Sequence, residues 1–148
     1  MNFTLSEAME YAQQGKISQW LQLFLRNEEG DMPNPNFVLA DELLDENICI
    51  FAPVKMPLEV FRTIRIAKDI NDENDLKWYE YKVEQIIRRF PHWDMPPLIS
   101  RYDGKDFWLN DGSHRYSALL KMGIKEYYTI VWCNRETKEI IENMLKNN

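Results

Sequence analysis

The sequence has 148 residues, of which 45% are hydrophobic and 13% aromatic, and its formal net charge is −6 at pH 7. This length suffices for one hydrophobic core, and the apolar content excludes a chain that is disordered over a long span. The negative charge argues against broad, sequence-independent binding to nucleic acid, which normally requires a basic face.

No apolar run reaches the roughly 20 residues that a membrane-spanning helix needs, and no charged-then-apolar leader begins the sequence. We therefore expect a cytoplasmic protein without membrane association. The two cysteines, Cys49 and Cys133, lie in apolar, strand-like runs and lack metal-site spacing. This pattern indicates buried free thiols in a reducing compartment.

Two amphipathic helices are predicted at the N-terminal end. Thr4 and Glu7 have the spacing of a capping box, which predicts a helix that begins after Thr4 and ends near Gly15. A second helix follows, because apolar side chains recur at helical spacing: Ile17, Trp20, Leu21, Phe24 and Leu25. The resulting αα-hairpin has a wide aromatic face. This face either packs on a sheet as core or contributes a surface for a protein partner.

Residues 31–57 carry weaker signals. Residues 32–36 form a loop by composition, residues 37–44 predict a short helix, and residues 48–51 predict a short strand. Pro53 and Pro57 bracket a predicted turn. Pro57 also has the position of a first helical residue, which predicts a further helix that carries Leu58, Phe61 and Ile64.

Three basic residues, Arg62, Arg65 and Lys68, would lie close together on that last helix. A solvated helix face is the ordinary explanation of such a cluster. The alternative is that one of the three points toward the anion site described below.

The second half of the chain alternates helices and strands. The longest helix is predicted over residues 76–90, and Pro91 ends it. A β-hairpin is predicted from residues 98–102 and 106–109, because Asp103-Gly104 lies between two alternating runs. A strand from Tyr127 and a final amphipathic helix follow. The predicted core comprises Ile86, Phe90, Leu109, Ala118, Leu119 and Ile130.

A strand, a tight turn and a helix are predicted over residues 107–123. The apolar run breaks at Asn110-Asp111-Gly112, and helical spacing resumes with Ser113, His114 and Arg115 in the first turn. Such a turn has unpaired backbone N–H groups and the positive end of the helix dipole, and its glycine lets an anion approach closely. An imidazole, a guanidinium and a hydroxyl follow one another here, and phosphate is the anion that best uses them. Alternatively, Asp111 or Ser113 only caps the helix and Arg115 only pairs with a carboxylate.

The stretch Asp111-Gly112-Ser113-His114-Arg115 resembles the signature turn of the ParB/sulfiredoxin-like superfamily. Sulfiredoxins carry Gly-Gly-Cys-His-Arg there, ParB proteins Gly-Glu-Arg-Arg, and the free-serine kinases of this fold an Asp-Gly-His-His-Arg type of turn. Residues 96–102 and 127–132 are similar to the flanking strands. The resemblance implies an α+β fold: a small mixed β-sheet with packed helices, here preceded by an N-terminal α-helical hairpin. We expect one domain over residues 1–148, in which a mainly helical part (1–70) packs on the ParB/sulfiredoxin-like core (71–148).

By this resemblance, Gly112, His114 and Arg115 match positions that hold nucleotide phosphates, with Ser113 between them. Ser113 occupies the place of the sulfiredoxin catalytic cysteine, and a serine hydroxyl cannot take part in reducing an oxidised sulfur. The turn also departs from the ParB pattern, and no helix-turn-helix follows. Neither sulfiredoxin activity nor chromosome partition is therefore expected, and no metal site is predicted from the spacing of acidic residues or histidines.

Two functions follow from the resemblance. The first is a small-molecule kinase or related phosphotransferase that uses ATP or another nucleotide with Mg²⁺, in which Asp111 is the candidate catalytic carboxylate. Glu59, Glu80 and Asp94 are the alternative carboxylates. The second is a non-catalytic nucleotide-binding or protein-interaction module, whose N-terminal helices contact a protein partner.

Overall fold

The structure, a computed structural model, describes residues 1–30, 33–64 and 66–146. Over these ranges it contains the helices α1 (Leu5–Gln13), α2 (Ile17–Leu25), α3 (Phe37–Glu42), α4 (Glu73–Arg89), α5 (Ser113–Lys121) and α6 (Lys138–Lys146). The strands are β1 (Ile48–Ile50), β2 (Val54–Pro57), β3 (Phe61–Arg62), β4 (Leu98–Tyr102), β5 (Phe107–Asp111) and β6 (Glu126–Asn134). All six belong to one mixed sheet. The predicted α+β class is confirmed.

Strand β6 is the centre of the sheet. The strand order is β1-β6-β4-β5-β3, and β2 pairs with the other half of the β6 edge that β1 occupies. The pairs of β6 with β1 and β2 are antiparallel, whereas its pair with β4 is parallel. Strands β4 and β5 form the predicted antiparallel hairpin, and β3 adds to β5 in parallel.

Side chains alternate between the two faces of the sheet along β6. Ile130 and Trp132 contact α1, α2 and α3, in a core that includes Trp20 and Leu21. Val131 and Cys133 lie in a second core under α4, α5 and α6. The aromatic face of the N-terminal hairpin therefore packs on the sheet as core. Of the predicted core residues, Ile86, Leu109, Ala118, Leu119 and Ile130 are buried, and Phe90 is half-buried.

The predicted capping box of α1 is half formed. The Thr4 hydroxyl accepts the Glu7 N–H at 3.1 Å, as predicted. The Glu7 carboxylate accepts the N–H of Phe3 at 3.1 Å and the indole N–H of Trp20 at 3.0 Å. The Glu7 carboxylate thus binds Phe3 and Trp20 instead of the Thr4 N–H, and its bond to the Trp20 indole joins α1 to α2.

Two predictions between residues 53 and 64 are wrong. Val54–Pro57, predicted as a turn, is strand β2, and it pairs with residues 126–129 of β6. The helix predicted after Pro57 is a single 3-10 turn, Leu58–Val60, followed by β3. Both segments find their hydrogen-bond partners in strands far along the sequence, and such pairing overrides the local pattern.

The basic cluster predicted on that helix is also wrong for the residues that the structure describes. Arg62 lies on β3 and pairs with Asp106 at 3.1 Å, whereas Lys68 lies in a 3-10 turn. Arg65 falls outside the described residues. The helix and strand predicted over residues 37–44 and 48–51 are present as α3 and β1. No helix in the described ranges is long and apolar enough to cross a membrane.

Candidate functional site

The predicted strand, turn and helix meet at Gly112. Strand β5 ends at Asp111, Gly112 adopts a left-handed conformation with φ +98°, and α5 begins at Ser113. A Cβ atom on Gly112 would lie 2.9 Å from both Nη2 of Arg115 and Cδ2 of Leu98. Conformation and space therefore both require glycine at this position.

Arg115 and Asp111 form a buried ion pair beneath this turn. Nη2 of Arg115 lies 2.9 Å from Oδ2 of Asp111, and both side chains are less than 10% exposed. Nη1 of Arg115 donates to the carbonyl oxygens of Pro96 and Pro97 at 2.8 and 2.6 Å. The guanidinium thus ties the start of α5 to the segment that leads into β4.

The ion pair bears directly on the predicted catalytic role of Asp111. Burial raises the pKa of the Asp111 carboxyl, and the Arg115 charge opposes that rise. A general base must accept a proton from its substrate. Here the proton would compete with the Arg115 guanidinium for the Asp111 carboxylate. In this structure Arg115 pairs with the Asp111 carboxylate, which is the alternative to anion binding that the sequence left open.

The first turn of α5 is held against α4. The Tyr79 hydroxyl donates to the Ser113 carbonyl oxygen at 3.0 Å and lies 2.7 Å from Oγ of Ser117. The His114 ring lies 4.5 Å from the Tyr79 ring. The N–H of Tyr116 donates to the Gly112 carbonyl at 2.7 Å, and no side chain caps the helix at Gly112. The positive end of α5 is thereby fixed in position.

A cavity of about 790 Å³ opens in front of this turn. Asp111, Gly112, His114 and Arg115 line its floor, so four of the five predicted site residues share one cavity. Ser113 does not belong to the lining, and its carbonyl is directed to Tyr79. Further lining residues are Phe3 in the N-terminal segment, Phe24 in the last turn of α2, and Asn27 and Gly30 after that helix.

Helix α4 contributes the remaining wall, which the sequence analysis did not identify. We call the four residues Trp78, Tyr81, Lys82 and Arg89 the α4 wall; all four line the cavity. Trp78 and Tyr81 are 59% and 53% exposed, and their rings stack at 5.5 Å with an interplanar angle of 16°. Nζ of Lys82 lies 5.3 Å from the centre of the Trp78 ring.

Arg89 reaches the same cavity from the last turn of α4. Its guanidinium carbon lies 4.3 Å from the centre of the Trp93 ring, a cation–π contact with another lining residue. Positions 78, 81, 82 and 89 follow helical spacing beside the buried stripe of α4. Exposed aromatic and basic residues on one helical stripe were the signal that could have identified this wall.

The alternative carboxylates do not lie at the cavity. Asp94 binds the start of α1, because its side chain accepts the N–H of Ser6 at 3.0 Å. Glu59 and Glu80 are absent from the lining, where the carboxylates of the described residues are Asp111 and Glu29. Across residues 1–30, 33–64 and 66–146, no group of three or more His, Cys, Asp or Glu side chains could hold a metal ion.

No protein-family model matches the sequence, and no curated protein matches it. The structure is similar to that of sulfiredoxin from Arabidopsis thaliana, with 22% identity, a TM-score of 0.42, and coverage of 53% of this chain and 82% of the other. A conserved hypothetical protein from Pyrococcus furiosus is similar at 17% identity and a TM-score of 0.41, over 53% of this chain and 31% of that one. The N-domain of a pNOB8-like ParB is similar at 18% identity and a TM-score of 0.41, over 58% of this chain and 28% of that one.

All three likenesses are below 25% identity and have TM-scores below 0.5. The chain spans less than a third of the Pyrococcus furiosus and ParB chains. At such identities and scores, the likeness bears on neither ligand nor reaction.

Proposed function

We propose that this protein binds a nucleotide in the cavity, with the phosphates at the Gly112 turn and the base against the α4 wall. One observation carries the proposal. In a chain with a net charge of −6, a single cavity combines a helix N-terminus, His114, Lys82 and Arg89 with an exposed pair of stacked aromatic rings. This combination suits a ligand that has an anionic end and a flat, aromatic end.

The phosphate end is supported by charge and by backbone geometry. The α5 dipole places partial positive charge at the Gly112 turn, where the backbone N–H groups of the first turn of α5 can bind a phosphate oxygen. Lys82 and Arg89 contribute cations from the α4 wall. Arg115 supports the turn from below, because its donors to Asp111, Pro96 and Pro97 are directed into the protein.

The base end is supported by the Trp78–Tyr81 pair. Both rings are more than half exposed although they are large and apolar, so a planar ligand can still cover them. Stacking of a base on an aromatic side chain is worth about 1–3 kcal/mol by alanine substitution and tolerates every base. We therefore expect modest discrimination among ATP, ADP, CTP and GTP.

A small-molecule kinase reaction at this site is a second proposal. The observation that favours it is that the Asp111 carboxyl lines the cavity and has a pKa raised by burial, the direction that a general base requires. Mg²⁺ would then be held mainly by the nucleotide phosphates, with Asp111 or Glu29 as protein ligands. Binding without chemistry fits the geometry better, because the ion pair already engages Asp111.

Calorimetry with ATP, ADP, CTP and GTP in the presence of Mg²⁺ tests nucleotide binding. Arg89→Gln should weaken binding about tenfold to a hundredfold, because a charge-assisted hydrogen bond is worth roughly 1.5–3 kcal/mol. Arg88→Gln is the matched control, since Arg88 lies next to Arg89 but does not line the cavity. If no nucleotide binds to the unmodified protein, both the binding and the kinase proposals fail.

Formation of ADP from bound ATP tests the kinase proposal separately. Asp111→Asn would break the buried ion pair, so loss of turnover in that variant is informative only if its fold and nucleotide affinity persist. Glu29→Gln tests the proposed Mg²⁺ contact without disturbing the fold, because Glu29 is exposed. If the unmodified protein binds a nucleotide but forms no ADP, the kinase proposal fails and the non-catalytic binding function stands.

Contact with a protein partner through the N-terminal helices remains a proposal. The aromatic face of α1 and α2 is occupied by the sheet, so a partner would have to use the outer side. The exposed apolar side chains in this part of the chain are Leu23 on α2, Phe37 and Val38 on α3, and Leu44 after α3.

A further inference from the structure

The two cysteines are direct neighbours across the sheet. In the antiparallel pair of β1 and β6, Cys49 lies opposite Cys133. Directly opposed residues project to the same face of a sheet, and both cysteines belong to the core under α4, α5 and α6. Both thiols are free.

The hydrogen bonds on either side fix the type of this pair. The N–H of Phe51 donates to the Val131 carbonyl at 3.0 Å, and the N–H of Arg135 donates to the Asn47 carbonyl at 2.8 Å. Each bond lies two positions from the cysteines, and antiparallel ladders alternate with a period of two. Cys49 and Cys133 are therefore a hydrogen-bonded pair, in which Cα atoms lie about 5.5 Å apart. Disulfides span Cα separations of about 4.4–6.8 Å.

The two thiols differ in access. Cys133 is fully buried, whereas Cys49 is half-buried and can meet a small oxidant from solvent. Helix α6 covers the pair, with Ile141 packed in the same core. Lys138, Glu142 and Thr137 are the charged and polar side chains near the Cys133 thiol.

We propose that Cys49 and Cys133 form a reversible intramolecular disulfide when the protein meets a hydroperoxide. The Cys49 sulfur attacks the peroxide, which breaks the O–O bond, releases water or an alcohol, and leaves a sulfenic acid. The Cys133 sulfur then attacks the Cys49 sulfur and expels its oxygen as water. Two thiols thus lose two electrons and two protons to one peroxide.

The position of the pair favours a disulfide that is readily reduced again over a permanent one. At a hydrogen-bonded pair, Cβ atoms lie toward the upper end of about 4.5–5.5 Å, whereas a disulfide needs about 3.5–4.5 Å. Closing the bond must draw β1 toward β6, and strained disulfides are the readily reduced ones. Glutathione can attack from the solvent side at Cys49.

The experiment uses the full chain in its native state. After treatment with about one equivalent of hydrogen peroxide and removal of the oxidant, the protein is unfolded in the presence of an alkylating agent so that buried thiols are also counted, and the two cysteine-bearing peptides are mapped without reduction. We expect alkylatable thiols to fall from two to none, a Cys49–Cys133 linked peptide, and a chain that stays monomeric on a non-reducing gel. Reduced glutathione should restore both thiols without denaturant. Because methionines also take up oxygen, the linked peptide is the readout in place of the intact mass.

Two variants control for incidental oxidation. Cys49→Ser and Cys133→Ala each keep one thiol, so neither can give the linked peptide, and the remaining cysteine should show oxygen adducts only. Disulfide-linked dimers, oxygen adducts on Cys49 in the unmodified protein, or a linked peptide that appears only in denaturant would each overturn the proposal. A linked peptide that glutathione cannot reduce in the folded protein would overturn its reversibility.

Discussion

The floor and the α4 wall of the same cavity use charged residues in opposite ways. On the floor, Arg115 and Asp111 are buried, and each faces the other. On the wall, Lys82 and Arg89 are less buried and lie over aromatic rings. Arg115 also lies 5.5 Å from the centre of the Phe24 ring, but it is buried with its carboxylate partner. The difference indicates that burial and partners, more than residue type, decide whether a cation is held in the scaffold or stays accessible at the cavity. The family resemblance implied Arg115 as a phosphate contact, whereas the proposed function assigns that contact to Arg89.

Removing the floor cation should give the largest effect. Arg115→Ala leaves the Asp111 carboxylate buried without its partner, and such losses destabilise by about 3–5 kcal/mol. Urea denaturation measures this change. Arg89→Ala, from the wall, should cost about 1 kcal/mol or less, because it removes one exposed cation–π contact with Trp93. Equal effects for the two arginines would remove the distinction between floor and wall.

A double replacement sharpens the same contrast. Asp111→Leu with Arg115→Met replaces both charges by apolar groups, which often restores or exceeds the original stability of a buried pair. The double variant should therefore be more stable than Arg115→Ala, although Pro96 and Pro97 lose a donor. A double variant that is less stable than Arg115→Ala would mean that the bonds to these carbonyls outweigh the ion pair.

The contrast between buried and exposed positions extends along α5. Leu119 is fully buried in the core under α4, so Leu119→Ala should lower the free energy of unfolding by roughly 2–5 kcal/mol. Leu120 is 47% exposed, and Leu120→Ala should cost less than about 1 kcal/mol. Thermal or urea denaturation of both variants measures the difference. A loss below about 1 kcal/mol for Leu119→Ala would mean that α5 faces the other way.

On the wall, Trp78→Ala should separate recognition of the base from recognition of the phosphates. Loss of stacking worth about 1–3 kcal/mol corresponds to roughly 5- to 150-fold weaker binding of ATP. Binding of inorganic triphosphate, which has no base, should change little. Calorimetry with both ligands tests this. A similar loss for both would place Trp78 at the phosphates or in the scaffold.

The smallest expected effect lies away from the cavity, at the tip of the β4–β5 hairpin. The Asp103 carboxylate accepts the N–H groups of Asp106 and Lys105 and the Trp108 indole N–H, which lowers its pKa to about 2. In the folded state the Asp103 carboxyl therefore stays ionised at pH values below its ordinary pKa of 3.8. Its contribution to stability is therefore present above about pH 4 and is lost as the pH falls toward 2.

Acid unfolding of the Asp103→Asn variant measures this contribution. The variant should lose less stability than the unmodified protein between pH 4 and pH 2, and it should be slightly less stable above pH 4. Parallel curves over that interval would contradict the role of the Asp103 charge.

Local signals in the sequence were sufficient for the turn and the hairpin. The Asn110-Asp111-Gly112 break predicted the start of α5, because a left-handed residue between strand and helix favours glycine. Asp103-Gly104 predicted the hairpin for a similar reason. Both features depend on residues that are close in sequence, and such features are accessible to pattern reasoning.

Features that depend on distant partners were not accessible. Strand β2 exists because β6 offers it an edge more than 60 positions later, whereas Pro53 and Pro57 indicated only a turn. The α4 wall depends on the position of the cavity, which becomes apparent only when the Gly112 turn and α4 are brought together. The ion pair of Asp111 and Arg115 was one alternative among several, because burial decides it and burial is a tertiary property.

The arrangement of β6 has a consequence for how this protein is made. This strand pairs with β1, β2 and β4, and it follows all of them in the sequence. During synthesis, α1, α2 and α3 leave the ribosome with an aromatic face whose sheet is not yet complete. Because Trp20 and Leu21 share their core with Ile130 and Trp132 of this strand, that core can be completed only after residues 126–134 have emerged.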